Sequence, residues 1–308
     1  MVQSRTARSE TVRVPNGVDL RVLRWPGQAP GFVLVHGLAS NALLWQGVSE
    51  ALSGQRCEDR DSNPKEDRGL GDGHAVTAID LRGHGNSAVP ASGYDTATAA
   101  ADVAAVISSL DLDRPVVAGQ SWGGNVVVEL AATAPGLVGA IALVDGGWIR
   151  LRDTLASWEE ALQTLTPPDI GDRSWSEMSS RMRTEHPDWL HWAIEASMAN
   201  LRECPNGTVR ARLARDHHLS ILRSMWDHSI PDRYGAVDVP ALLLPSGQRW
   251  GPKLDAVNRA AAALCRSEVR WYEGCDHDLH AQHPKSLAAD LLALRERAQA
   301  PAPTADRP

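Results

Sequence analysis

The order of short apolar runs and helical segments is the feature that most limits how this chain of 308 residues can fold. Continuous apolar runs of four to five residues fit central strands that are covered on both faces. Amphipathic segments lie between them. Strands that alternate with helices predict an α/β fold with a mostly parallel central sheet flanked by helices. The predicted strands after the N-terminal region are 32–35, 75–79, 115–118, 140–144, 241–244 and 269–272, and the predicted helices of this sheet domain are 41–52, 96–110, 122–134, 254–264 and 284–297.

A β-hairpin precedes this alternation. Residues 11–14 and 18–25 have strand character and are separated by a turn that contains Asn16 and Gly17. Asn-Gly favours the positive φ angles that a tight hairpin turn requires. The chain is therefore expected to enter the sheet through two antiparallel strands.

The alternation stops between residues 148 and 235, where the sequence has helical segments but no convincing buried strand. We predict a sheet domain formed by residues 11–147 and 236–298, interrupted by a helical insertion at 148–235. Residues 54–73 are charged, contain glycine and have few large apolar side chains, which predicts an exposed insertion. Residues 1–10 and 299–308 are predicted to be loose tails.

The overall composition excludes several classes of function. Hydrophobic residues make up 43% and charged residues 22% of the chain, as in ordinary globular proteins. The net charge of −7 gives no electrostatic reason to expect binding to nucleic acid or to an anionic membrane surface. No apolar run is long enough to span a bilayer, and the N-terminus has no apolar core typical of a secretory signal. A cytoplasmic location is expected.

The segment Gly119–Gly124, GQSWGG, is the clearest catalytic signal. It has the pattern G-x-S-x-G and lies between a predicted strand and a predicted helix. A serine at such a turn is exposed above the edge of the sheet, and small neighbours at Gly119 and Gly123 relieve the crowding. Ser121 is therefore predicted to be a nucleophile.

Two further loops accompany this turn. His36-Gly37-Leu38 follows the strand 32–35, so the backbone N–H of Leu38 can point at the same oxyanion as the N–H of Trp122. His36 is expected to be structural. The loop DLRGHGNS, which begins at Asp80, is expected to be rigid and to pack near the site, with no chemical role for His84.

The ordered set HGLAS, DLRGHGNS, GQSWGG and CDHDLH resembles the α/β-hydrolase superfamily, in its branch with a serine nucleophile. The resemblance covers nearly the whole chain outside 54–73 and the helical insertion, which lies where many members carry a helical cap. It implies that the base is a histidine in the loop after the last strand. His277 fits this position better than His280 or His283, because its distance to Pro284 at the start of the last helix resembles that of the superfamily.

The acid of the implied triad departs from the commonest pattern. Most members have an aspartate shortly after the strand that is 241–244 here, but Trp250 occupies that position. Asp145 is the preferred replacement, because it ends the strand 140–144 at the edge of the sheet where ligands bind. Asp255 is the second choice, although it falls inside a predicted helix. A serine–histidine pair supported by water is the remaining alternative.

Tryptophan is concentrated in the predicted cap. Trp122 and Trp148 each adjoin a predicted catalytic residue and are predicted to contact the substrate. The arginine and glutamate residues of the cap are interpreted as a solvated surface, and no cofactor or metal is expected, because the histidine spacings match no metal site. The cap tryptophans that could line an acyl or alcohol pocket are Trp148, Trp158, Trp175, Trp189, Trp192 and Trp226.

These residues predict a serine hydrolase that cleaves a small hydrophobic carboxylic ester or lactone through an acyl-enzyme intermediate. A serine in place of aspartate at the turn argues against a haloalkane dehalogenase or an epoxide hydrolase. An acyltransferase or a C–C bond hydrolase would use the same triad and stays an alternative. A non-catalytic protein that binds a ligand in the pocket is the rival from another class.

Overall fold

The computed structural model describes residues 7–55 and 73–300. Within them an eight-stranded sheet has the order β1-β2-β4-β3-β5-β6-β9-β10. Strand β2 pairs antiparallel with β1 and β4, and the other neighbouring strands pair parallel. The predicted α/β fold with a mostly parallel sheet is confirmed. The strands are β1 Arg8–Arg13, β2 Asp19–Trp25, β3 Gln28–Val35, β4 His74–Ile79, β5 Val116–Gln120, β6 Ala140–Val144, β9 Ala241–Leu244 and β10 Ser267–Val269.

Helices cover both faces of the sheet and leave its central strands buried. One apolar layer contains Val33, Val117 and Leu143 with α2 and α3, and the other contains Leu34, Ala118 and Leu244 with α1 and α10. Asn41 caps a 3₁₀ turn at Ala42–Trp45 before α1. The helices of the sheet domain are α1 Gln46–Leu52, α2 Thr96–Ser109, α3 Trp122–Thr133, α8 Gly251–Ala263, α9 Leu279–Gln282 and α10 Pro284–Gln299.

The segment between β6 and β9 is mostly helical, as predicted, but it also contains a short hairpin. Strands β7 (Leu201–Glu203) and β8 (Val209–Ala211) pair antiparallel, and because both are largely exposed they agree with the expectation of no convincing buried strand there. Each strand has three residues and most are exposed, so no apolar run marks them in the sequence. The helices of this segment are α4 Trp158–Leu165, α5 Trp175–Glu185, α6 His191–Met198 and α7 Arg215–Asp227.

Two predicted boundaries need correction. Strand β1 begins at Arg8, so residues 8–10 belong to the sheet and not to a loose tail. Strand β10 ends at Val269, whereas the predicted strand began there, and Tyr272 retains only an isolated bridge to Ser246. β10 is an edge strand without a fully buried residue, which explains why periodicity located it poorly.

Other predictions fall outside the described residues or stay untested. Of the insertion predicted at 54–73, residues 56–72 lie outside them, as do 1–6 and 301–308. The division into a sheet domain and a cap at residues 148 and 235 stays a prediction. No helix in the described part of the chain combines the length and the apolar character needed to cross a membrane.

Candidate active site

Ser121 lies on a strained turn between β5 and α3. Its φ of 55° and ψ of −125° fall outside the regions that residues with a side chain normally adopt. Its backbone N–H donates to Val144 O over 2.9 Å, which ties the turn to the end of β6. A Cβ on Gly123 would lie 2.5 Å from His36 O, so only glycine allows this close approach. The fold therefore holds Ser121 in the geometry expected for an exposed nucleophile.

His277 and Asp145 are in direct contact. His277 Nδ1 lies 2.6 Å from Asp145 Oδ2, which meets the distance expected when an aspartate orients an imidazole. Asp145 ends β6 and its side chain is 2% exposed, whereas the side chain of His277 is 52% exposed. Gln120 Nε2 donates to His277 O over 3.1 Å and anchors the loop that carries the imidazole. The structure thus brings together the residues predicted as acid and base.

The carboxylate of Asp145 has two further partners. Ser246 N donates to Oδ1 over 3.0 Å, and Lys253 Nζ lies 3.0 Å from Oδ1 and 3.1 Å from Oδ2. Lys253 also donates to Ser246 O over 3.1 Å, so it bridges the carboxylate and the loop after β9. Lys253 was not predicted, since a lysine on the first turn of α8 has no sequence pattern that indicates a buried partner.

Electrostatics favour the ionised form of this pair. Burial raises the pKa of Asp145, but the hydrogen bond and charge of His277, the charge of Lys253 and the N–H of Ser246 outweigh it and lower that pKa. Desolvation lowers the pKa of His277, but the hydrogen bond and the charge of Asp145 outweigh it and raise that pKa. Lys253 acts in the opposite direction on His277 and lowers its pKa. Asp145 can therefore remain a carboxylate while His277 gains and loses a proton.

Neither Trp250, at the usual acid position, nor Asp255 forms a hydrogen bond with His277 among the described residues. Trp250 caps α8 and is 68% exposed. Asp255 is exposed on α8, two residues beyond Lys253. The carboxylate that contacts His277 Nδ1 belongs to Asp145.

Two buried histidines fix the loops around Ser121. His36 Nδ1 donates to Gly37 O, and its Nε2 accepts from Leu81 N over 3.0 Å. His84 Nδ1 donates to Arg82 O, and His84 Nε2 accepts from Ala39 N over 3.2 Å. Burial lowers the pKa of both imidazoles, so they are neutral. Their contacts are structural, as the sequence analysis expected.

A cavity of about 200 Å³ adjoins the candidate nucleophile and base. Ser121, His277 and Leu38 line it, and α3 begins directly behind Ser121 at Trp122. The first N–H groups of a helix have no partner within the helix, so they are available to an anion. The remaining lining residues are Ala39, Ser40, Leu44, Gln120, Met182, His186, Trp189, Ser197, Asn200 and Asp278.

The sequence model of the family described as alpha/beta hydrolase fold matches residues 30–284 of this chain. This protein belongs to the alpha/beta hydrolase family. The match extends from the strand before His36 to the start of α10 and so includes Ser121, Asp145 and His277. The family resemblance that the sequence motifs indicated is confirmed.

Individual relatives of this alpha/beta hydrolase are enzymes of several kinds. A non-heme chloroperoxidase of Streptomyces lividans is 28% identical over 242 residues, which are 73% of this chain and 83% of the relative. An esterase of Mycobacterium tuberculosis is 34% identical over 137 residues, 44% of this chain and 39% of the relative. The structure of E-2-(acetamidomethylene)succinate hydrolase has a TM-score of 0.74 at 20% identity, with 94% of this chain and 99% of that chain covered. The first two comparisons support a hydrolase, whereas the last shows the fold alone.

The predicted substrate contacts of this alpha/beta hydrolase need correction. Trp122 is 1% exposed and its Nε1 donates to Thr96 Oγ1 over 3.1 Å, so the residue packs in the core. Trp148 is 6% exposed and belongs to the same apolar cluster. Neither lines the cavity beside Ser121. Both indole rings lie close in sequence to a predicted catalytic residue, but they fill the core.

Trp189 is the cap tryptophan that reaches the cavity. Its ring stacks on His186 with centroids 4.0 Å apart, and its Nε1 lies 3.4 Å from Asp276 Oδ2. Trp189 is one of the six predicted candidates, and no signal in the sequence separates it from the other five. Leu44, Met182 and Asn200 were missed, because they come from segments distant in sequence that meet only in the fold. Among the described residues, no group of His, Cys, Asp or Glu side chains could hold a metal ion.

Proposed function

We propose that this protein is a serine hydrolase that cleaves a carboxylic ester or lactone through an acyl-enzyme. The observation that carries the proposal is the 2.6 Å contact between His277 Nδ1 and the buried carboxylate of Asp145, next to a serine on a strained turn. A hydroxyl is a weak nucleophile and needs a base that a third group orients. Ser121, His277 and Asp145 supply these roles.

In the first half of the reaction, Ser121 Oγ attacks the carbonyl carbon of the substrate. Because Nδ1 of His277 donates to Asp145, Nε2 is the nitrogen that accepts the proton from Oγ. The carbonyl oxygen becomes an oxyanion, which we assign to the N–H groups of Leu38 and Trp122. When the intermediate collapses, the C–O bond of the ester breaks and His277 returns the proton to the leaving alcohol.

In the second half, water attacks the acyl-serine. His277 Nε2 takes one proton from the water, and the same two N–H groups hold the second oxyanion. Collapse releases the carboxylic acid and returns the proton to Ser121 Oγ. Asp145 stays ionised throughout and stabilises the imidazolium, which agrees with the lowered pKa of its carboxyl group.

The walls of the cavity support a substrate with a hydrophobic portion near the carbonyl. Leu38, Leu44, Met182 and Trp189 provide apolar surface beside Ser121. A lactone would leave its alcohol attached to the acyl group, and a simple ester would release it, but both use the same steps. The esterase among the relatives agrees with this substrate class.

A fluorophosphonate probe tests the nucleophile directly, because only an activated serine reacts quickly with it. We expect labelling of Ser121 in the intact protein and loss of the label in Ser121→Ala. Ser109→Ala, a change of an exposed serine at the end of α2, is the matched control and should label like the parent. Labelling of a different serine, or no labelling of folded protein, would refute the proposal.

A further inference from the structure

A second, larger cavity adjoins the one that contains Ser121. Its volume is about 740 Å³, against about 200 Å³ for the catalytic cavity. Ala39, Ser40 and Asn200 line both cavities, so the two spaces meet at these residues. A substrate that reaches Ser121 can therefore extend past Ser40 into the larger space, which we call the basic vestibule.

The wall of the basic vestibule is strongly positive. Its four arginines face one aspartate, Asp169, although the whole chain carries a net charge of −7. Burial lowers the pKa of the two lining histidines, His84 and His218, so they add no positive charge near neutral pH. Three of the four arginines are exposed and Arg212 is half-buried, which agrees with the solvated surface predicted for the charged residues of the cap. The four are Arg202, Arg210, Arg212 and Arg215.

The cap hairpin holds two of these arginines at an electrostatic cost. Arg202 on β7 and Arg210 on β8 are direct cross-strand partners. Like charges at such positions repel each other and destabilise a two-stranded ribbon. Arg210 is partly neutralised by Asp172, with Nη2 and Oδ1 3.1 Å apart. A negatively charged ligand in the basic vestibule would offset the repulsion that remains.

Two of the four guanidinium groups are available to a ligand. Among the described residues, the side chains of Arg202 and Arg215 form no hydrogen bond or ion pair. Arg212 differs, because its Nε donates to Ala199 O and Leu201 O. Arg212 therefore stiffens the hairpin, while Arg202 and Arg215 can bind.

Ser40 supplies an independent observation at the junction of the cavities. The residue is 9% exposed, and its buried Oγ has no hydrogen-bond partner among the described residues. A buried hydroxyl without a partner is destabilising, and a ligand that accepts its hydrogen bond would remove that cost. The flanking residues hold it in place, since Ala39 N donates to His84 and Asn41 Nδ2 donates to Asn200 Oδ1. A substrate that passes from Ser121 into the basic vestibule would meet this hydroxyl.

We propose that the substrate carries an anionic group, a carboxylate or a phosphate, which binds Arg202 and Arg215 in the basic vestibule while Ser40 Oγ donates to the chain between that group and the reactive carbonyl. This inference rests on the proposed function and names its substrate class. Arginine suits the role, because its planar fork matches carboxylate and phosphate oxygens. The hydrophobic wall near Ser121 then binds only the portion next to the ester.

Paired esters test the charge preference. The 4-nitrophenyl monoesters of adipic and suberic acid end in a carboxylate, and their methyl esters are neutral compounds of nearly the same length. We expect kcat/KM to be at least about tenfold higher for the anionic member, with a preference that weakens at high salt. In a second pair of esters the leaving alcohol carries either a sulfonate or a neutral group. Comparison of the two pairs shows whether the acyl side or the alcohol side of the ester enters the basic vestibule. Equal rates within both pairs would overturn the proposal.

Arginine variants test whether Arg202 and Arg215 cause the preference for the anionic ester. In Arg202→Gln with Arg215→Gln, the anionic ester should lose about tenfold in kcat/KM, and the neutral ester should change less than about twofold. The matched control, Arg13→Gln with Arg114→Gln, removes the same charge at exposed positions outside both cavities and should keep the preference. An equal loss for both esters, or a preference retained in the vestibule variant, would contradict the assignment.

Ser40→Ala distinguishes a role of the Ser40 hydroxyl in substrate binding from a role in the stability of the fold. A ligand-binding hydroxyl predicts a KM for the anionic ester that rises about three- to tenfold, with little change in kcat. The melting temperature should stay the same or rise, because the change removes an unpartnered buried hydroxyl. A structural role for Ser40 predicts a lower melting temperature with an unchanged KM, which would overturn its part in the proposal.

Calorimetric binding to Ser121→Ala distinguishes this inference from the proposed function. The variant cannot form an acyl-enzyme, yet it should bind monomethyl adipate more tightly than dimethyl adipate. If wild-type protein hydrolyses neither ester but the variant prefers the anion, the proposed function fails and the basic vestibule stands. If wild-type protein hydrolyses the neutral ester through Ser121 and the variant shows no preference, the basic vestibule fails alone.

Discussion

Lys253 Nζ lies within 3.1 Å of both oxygens of the Asp145 carboxylate. The carboxylate that orients His277 is therefore shared between an imidazole and an ammonium group. Lys253 stands on α8, three residues after Trp250, at the end of the sheet where most members of the superfamily carry their acid. The loop after β9 thus contributes the Ser246 N–H and α8 contributes a cation to Asp145, which itself ends β6.

This arrangement predicts a pH effect of Lys253. Its positive charge lowers the pKa of His277, so Lys253→Met should raise it. His277 must be neutral to accept the proton of Ser121. In a plot of kcat/KM against pH, the acid limb, where the rate rises as His277 loses its proton, should therefore move to higher pH. On that limb the variant should be a few-fold slower, a modest effect because Lys253 is 41% exposed and screened by solvent.

Two variants control this experiment. Lys253→Arg keeps the charge and should restore the acid limb toward that of the parent. Arg259→Gln removes one positive charge from the same helix, at a residue that pairs with Asp153, and should leave the limb in place. An acid limb that does not move in Lys253→Met would mean that Lys253 has no influence on the base.

Asp145→Asn should lower kcat by about 10²- to 10⁴-fold while the protein stays folded. An amide in this place cannot stabilise the imidazolium, and it can present its own N–H to Nδ1 and favour the wrong tautomer. Asp255→Asn is the matched control, because Asp255 is exposed on α8, and it should cost less than about twofold. Circular dichroism checks the fold and steady-state kinetics measure kcat. Comparable losses in the two variants would exclude Asp145 as the acid.

The framework of the site was predictable because it depends on local backbone chemistry. The motif around Ser121 requires small residues on a strand-to-helix turn, and apolar runs locate the strands that carry Asp145 and the 36–38 loop. His277 was found through the resemblance to the superfamily. These signals are contiguous in sequence, and so one sequence is enough to predict them.

The walls of the site were not predictable in the same way. Trp148 and Trp122 adjoin predicted catalytic positions in sequence, but an indole that can bury its ring and satisfy its N–H is equally suited to the core. Lys253 reaches Asp145 only because α8 packs beside the end of β6. The contacts that define a pocket join distant segments, and no periodic pattern records them.

Gly146→Ala should distort the turn that carries Ser121, because Gly146 packs against the backbone of that residue. A Cβ on Gly146 would lie 2.0 Å from Ser121 O, a backbone atom that cannot move without displacing Ser121. We expect a loss of about 1–3 kcal/mol in the free energy of unfolding and a large drop in kcat. Gly235→Ala is the control, because no atom lies within 4 Å of its added Cβ. Chemical denaturation and kinetics on both variants provide the measurement, and full activity in Gly146→Ala would contradict this packing.

The coupling between Asp145 and His277 should also appear in stability. The lowered pKa of Asp145 adds stability at pH values above its ordinary pKa, which is lost as the pH falls through the lowered value. The raised pKa of His277 adds stability below its ordinary pKa, which is lost as the pH rises through the raised value. The pair therefore stabilises the fold most between about pH 4 and 6.5.

Denaturation of wild-type protein and Asp145→Asn between pH 3 and pH 9 measures this contribution. The free energy of unfolding of the wild-type protein should exceed that of Asp145→Asn most between about pH 4 and 6.5. This difference should decline toward pH 9 by on the order of 1 kcal/mol, a small amount because the half-exposed His277 is partly screened by solvent. In a His277→Asn background the decline above pH 6.5 should disappear, because the titrating partner is gone. A decline that persists in the His277→Asn background would assign the pH dependence to another group. A difference that does not change with pH when His277 is present would mean that Asp145 does not stabilise the charge of His277.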